Sequence, residues 1–138
     1  MATEAPLIKD GAQCTAAANY YNPASALDGP GGSGQFLCVY ISAARVVTVQ
    51  TSSGGDVYGI LQNTPASGQA ADVGLLGVSK AVAGAAISAG ALLQSDANGR
   101  VITQTGSGAV VGRAIEAATA ANQVITIELL PSGASSAV

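Results

Sequence analysis

Chemistry at neutral pH runs most often through histidine, the side chain that gains and loses a proton there. This chain of 138 residues has none. The residues left to carry a reaction are scattered. Ala86-Ile87-Ser88-Ala89-Gly90 has the outline of a nucleophile elbow, but without histidine no Ser-His-Asp triad can form. A Ser88–Lys80 pair would be the substitute, and nothing in the spacing supports it. Gly29-Pro30-Gly31-Gly32-Ser33-Gly34 fits the letters of a dinucleotide fingerprint. That motif works only between a strand and a helix whose N-terminus meets phosphate, and here a loop precedes and a strand follows, so the tract reads as a flexible loop. Asp96-Ala97-Asn98-Gly99 looks like a fragment of a calcium loop, but no closing carboxylate follows at the required distance. The two cysteines, Cys14 and Cys38, fall short of a four-ligand zinc site. They read as small buried thiols, with a disulfide tying the N-terminal segment to the first strand as the alternative. The expectation is no enzyme, no metal and no cofactor.

Charge narrows the partners. Five Lys and Arg stand against eight Asp and Glu, a net charge of −3. Lys9, Arg45, Lys80, Arg100 and Arg113 do not cluster, so there is no basic face to neutralise phosphates and no nucleic-acid partner is expected. The start, MATEAPLIKDG, lacks the basic and apolar regions of a secretory signal. The longest weakly polar run, 81–93, is too short to cross a bilayer and is broken by Gly84, Ser88 and Gly90. A soluble protein made in the cytoplasm is expected, with no membrane partner.

Hydrophobic residues make up 49 % of the chain but aromatics only 4 %, so a core must be built from Val, Ile, Leu and Ala. The length suits one domain. Residues 1–35, rich in Pro, Gly and Ala, show no period of 2 or 3.6 and read as an extended arm with Tyr20-Tyr21 as its bulky anchor, open to protease until a partner covers it. From residue 36 to 130 the sequence turns to short β-rich runs between Gly-rich turns. These are 36–41, 45–50, 57–61, 72–79, 91–94, 100–103, 110–115 and 123–130, and residues 131–138 are left as a flexible tail. The pattern predicts an all-β fold, a small jelly-roll or β-barrel-like domain. The alanine-rich stretch 81–93 reads as bent strand and loop, because Gly84 and Gly90 each weaken a helix, while 116–122 has room for one helical turn. Asn98-Gly99 between Leu92-Leu93 and Val101-Ile102 predicts a hairpin with a type I′ turn. Arg45, Arg113 and Glu128 fall within strand candidates; they suit either a solvated sheet face or ion pairs across an interface.

One ordered set of short motifs goes further. Val57-Tyr58-Gly59-Ile60 is followed by Gly77-Val78-Ser79-Lys80-Ala81 and Ala86-Ile87-Ser88-Ala89-Gly90-Ala91-Leu92-Leu93. Then come Asp96-Ala97-Asn98-Gly99-Arg100-Val101, Val110-Val111-Gly112-Arg113-Ala114-Ile115-Glu116-Ala117-Ala118 and Val124-Ile125-Thr126-Ile127-Glu128-Leu129. This order resembles the capsid cement, or head decoration, proteins of tailed bacteriophages. The resemblance implies a compact β domain on the outer surface of the virion capsid, assembled as a homodimer or homotrimer. It would bridge neighbouring major capsid protein subunits and stabilise the shell. The first 35 residues match nothing in the pattern. The expected contacts to capsid or sister subunits are Tyr20, Tyr21, Phe36, Arg45 and Arg113. A surface-adhesive or carbohydrate-binding β module is the rival reading.

Overall fold

A computed structural model describes residues 14–21 and 27–130. They form two five-stranded sheets. The first contains β1 (Thr15–Ala16), β2 (Cys38–Ala43), β3 (Val46–Val49), β4 (Gly59–Leu61) and β5 (Val73–Gly74), in the order β1-β3-β2-β4-β5. The second contains β6 (Gly77–Val82), β7 (Leu92–Ser95), β8 (Val101–Thr103), β9 (Gly112–Ala114) and β10 (Val124–Leu129), in the order β6-β10-β9-β7-β8. The all-β class expected from the turn spacing is the class observed.

β10 shows how the pattern becomes structure. Ile125, Ile127 and Leu129 point into the core while Val124 and Glu128 face solvent, the period-two alternation of a half-buried strand. It pairs antiparallel with β6 on one side and β9 on the other, so its register fixes both neighbours. Burying side chains such as Ile127, Leu93 and Ile60 completely contributes about 1.5–3 kcal/mol each. One cluster lies between the sheets, with Cys38 and Ile60 of the first against Ala81, Leu93, Val101, Ile125, Ile127 and Leu129 of the second. The other gathers Leu37, Val39, Val47, Leu61 and Val73 around Cys14, Ala16 and Tyr20, and takes Val82 from β6.

Several expectations change in detail. The single strand expected over 72–79 is two, because Gly77 takes φ +95 and turns the chain from the first sheet into the second. Arg45 lies outside any strand: it sits in the Ala44–Arg45 turn between β2 and β3 with φ +59, beside a register shift at Ile41/Ala43. The segment 116–122 forms no helical turn; Ala118 bridges Ile87 instead, which also holds 81–93 as bent strand and loop. The hairpin between β7 and β8 is present with a different turn. Gly99 has φ +80 but Asn98 is not left-handed, so the type I′ expectation fails. The Asp96 carboxylate decides this: Oδ1 accepts from the Asn98 and Arg100 N–H groups (2.8 and 2.9 Å) while Gly99 N–H reaches the Asp96 carbonyl (3.3 Å). That is a three-residue loop closed by a left-handed glycine.

Part of the segment read as an arm is built into the first sheet. β1 pairs parallel with β3, and on its other side Ala16 N–H bonds the Gln69 carbonyl (3.0 Å) and Ala71 N–H bonds the Cys14 carbonyl (3.0 Å). The first sheet therefore curls toward itself around β1. Tyr20, only 4 % exposed, accepts from Val49 N–H at its hydroxyl (3.1 Å), and Gly34 N–H donates to its carbonyl (2.9 Å). Residues 1–13 and 22–26 of the expected arm, and the expected tail 131–138, lie outside the described residues.

Candidate functional site

The groups that suggested chemistry are engaged elsewhere. Ser88 is exposed on a turn closed by Ala91 N–H to its carbonyl (3.1 Å), with no helix behind it. The Lys80 ammonium stands 5.9 Å from the Phe36 ring centroid, a cation–π contact. In the Gly29–Gly34 tract a single 3₁₀ turn, Pro30–Gly32, leads into β2, and Gly29 N–H is spent on the Ser33 carbonyl (2.9 Å). Both Asp96 oxygens are committed, Oδ1 to the turn and Oδ2 to Arg100 Nε (2.9 Å). Among the described residues no group of three or more His, Cys, Asp or Glu gathers to hold a metal. The cysteines form no disulfide and lie in different clusters, so the disulfide alternative falls. Burial pushes the Cys38 thiol up to about 12, which keeps it protonated and inert.

The five expected contact residues do not form one patch. Tyr20 is inside, holding β3. Tyr21 is 38 % exposed next to it, and Arg45 is exposed at the β2–β3 turn. Arg113 is exposed on β9, where its Nη1 donates to the Gly90 carbonyl (2.8 Å). Phe36 is half-buried with φ +67, a conformation that costs an aromatic residue free energy and is kept only where surroundings enforce it. Two bonds do so: Phe36 N–H donates to Leu61 of β4 (2.7 Å), and its carbonyl accepts from Val82 N–H of β6 (3.1 Å). Phe36 thus joins the two sheets, and its ring is aimed at Lys80.

Around Phe36 lies a recess. It is an open groove of about 440 Å³ lined by Phe36, Gln62, Val78, Ser79, Lys80 and Thr126. Gln62 Nε2 spans its floor, donating to the Ile60 carbonyl (3.0 Å) and to Ser79 Oγ (2.9 Å). The groove runs along β6, an edge strand. The strand is turned so that its small residues, Ser79 and Ala81, are buried while Val78 (62 % exposed) and Lys80 face out. Composition alone hid this, since valine in an alternating strand is the expected inward residue. The signal was parity: Ser79 and Ala81 share one face, and the larger Val78 and Lys80 the other.

The same outward face continues across the second sheet. Register places Val78 beside Glu128, Glu128 beside Arg113, and Arg113 beside Leu92. Ile115 (49 % exposed) and Val124 (44 %) add apolar area to this side. A β-bulge follows β9, where the Ile115 and Glu116 N–H groups both reach the Thr126 carbonyl (3.0 and 3.2 Å). Hydrogen bonds from the Thr126 hydroxyl and N–H hold the Glu116 carboxyl below its usual range. The result is a firm, mixed apolar and charged sheet face with a groove at its margin, a surface suited to docking another macromolecule.

That architecture defines the class, a compact β module with a broad contact face, and comparison supplies the family. The phage cement protein family matches the chain over residues 35–129, so the chain belongs to that family. It is a structural protein of the phage capsid, on the outer surface of the virion. Among solved structures it is similar to the head fiber gp8.5 N base of bacteriophage phi29. That likeness has a TM-score of 0.60 and 16 % identity, and covers 86 % of this chain and 92 % of that one. No curated protein sequence matches significantly.

Proposed function

We propose that this protein is a capsid clamp. It binds the exterior of the mature head, contacts at least two major capsid protein subunits, and raises the free energy needed to part them. Self-association as a homodimer or homotrimer completes the bridge. It performs no catalysis and touches no DNA. Membership of the cement family over residues 35–129 carries this reading. The physics supports it: a shell under internal pressure fails where capsomers separate, and each clamp adds its binding free energy to that step. Many copies make the effect collective. The net charge of −3 disfavours a place against packaged DNA and suits the outer surface.

The test compares heads with and without the protein. Bare heads are expected to release DNA at lower temperature or under milder chelation, and purified protein added back is expected to restore them. Equal stability of bare and decorated heads refutes the clamp. Protection of the protein from external protease in intact heads refutes its exterior position.

A further inference from the structure

The margin of the second sheet carries hydrogen-bonding groups that no described residue uses. Ala83 N–H donates to the Gln123 carbonyl at the end of β10 (2.7 Å), whereas Val82 N–H points the other way, to Phe36 (3.1 Å). Backbone groups alternate sides along a strand, so the N–H groups of Val78 and Lys80 also point away from β10. Among the described residues no acceptor meets them. The Lys80 carbonyl takes the Ser79 hydroxyl (2.9 Å); the Val78 carbonyl also points away from β10 and accepts from no described residue. The opposite margin differs: β8 is covered where Ala83 bridges Val101 and Gly84 N–H bonds the Val101 carbonyl (2.8 Å). One edge is closed and the other left as a template.

We propose that the β6 edge at Val78–Lys80 seats an extended segment of the major capsid protein, added as a further strand. Its acidic side chain lies against Lys80 and an apolar one lies in the Phe36 groove. Main-chain bonds to an open edge supply affinity, and pockets for alternate side chains supply selection. The acidic character follows from charge. Lys80 has no carboxylate partner among the described residues, and its ammonium is presented over an aromatic face at the groove wall. A lysine on an edge discourages pairing with neutral or basic strands, a second copy of β6 included. An acidic strand removes that penalty. The strained Phe36, fixed between β4 and β6, keeps the groove formed before binding, so little ordering cost falls on this side.

The inference rests on capsid binding and is tested separately from it. The full-length protein is bound to undecorated heads of its phage, and amide exchange over residues 77–82 is compared free and bound. The Val78 and Lys80 amides are expected to exchange fast in the free protein and slowly on heads. Lys80→Glu is expected to weaken head binding about tenfold or more, with Lys80→Arg close to wild type. Val78→Pro removes an N–H that no described residue accepts, and is expected to weaken binding similarly while the melting curve stays cooperative. If that variant does not fold, the exchange data and the Lys80 pair decide. Wild-type decoration with 77–82 unprotected, or with Lys80→Glu binding as wild type, overturns the strand-addition site and leaves the clamp standing. Protection that rises with protein concentration in the absence of heads overturns it in favour of self-pairing. Wild type failing to bind heads at all removes the capsid reading and this site with it.

Discussion

Tyr20→Phe tests whether the chain before residue 36 is structural. The Tyr20 ring lies in the core with its hydroxyl 3.1 Å from Val49 N, and Gly34 packs so close that a Cβ there would fall 2.9 Å from Tyr20 Cβ. Phenylalanine keeps the ring and deletes the acceptor. Val49, only 5 % exposed, then carries a buried unpaired N–H, a loss of about 1–3 kcal/mol. Tyr20→Ala also empties the ring's volume, and truncations of this size cost about 3–5 kcal/mol. Equilibrium urea unfolding of the full chain reads both, as a lower midpoint at unchanged slope. A Tyr20→Phe change within about 0.5 kcal/mol of wild type, the scatter of surface substitutions, together with little loss in Tyr20→Ala, refutes the reasoning. The N-terminal segment would then be peripheral. Brief proteolysis gives an independent reading: cleavage is expected to spare 14–21 and 27–35, which composition alone marked as susceptible.

Three further outcomes are expected. Burial pushes the Cys38 thiol up to about 12 from an ordinary 9.0 and also raises Tyr20. The fold holds protons that the unfolded chain releases sooner, so stability is intact below about pH 9 and falls as pH rises toward 12; thermal melts across that window are expected to show a smaller slope in Cys38→Ala. Asp96→Ala removes two turn bonds and the 2.9 Å contact to Arg100 Nε, with an expected loss of about 1–3 kcal/mol in urea midpoints, and Asp96→Asn is expected to recover part of it through Oδ1. Arg45→Gly relieves a left-handed residue at the β2–β3 turn and is expected to raise stability by up to about 1 kcal/mol, read as a higher melting temperature.

The sequence determined the class of fold and the family. Val, Ile and Thr in short runs between Gly-rich turns have few stable solutions other than packed sheets, and β10 could be read residue by residue because its alternation is local. The ordered motifs from Val57 onward identified the family for the same reason: each is a turn or strand whose chemistry is written in neighbours. Tertiary structure decided where the surfaces are. Thr15–Ala16 is a strand only because β3 and residues 69–71 flank it, and two residues cannot announce that. Tyr20 looked like an anchor for a partner and is an anchor for β3, since burial depends on what arrives from 29 positions away. The 72–79 run divides between sheets at Gly77, a backbone torsion that its neighbours do not dictate. Val78 and Lys80 face the groove because small Ser79 and Ala81 fit against the packed interior. That choice of face is made by the fit between two sheets, a property no single strand contains.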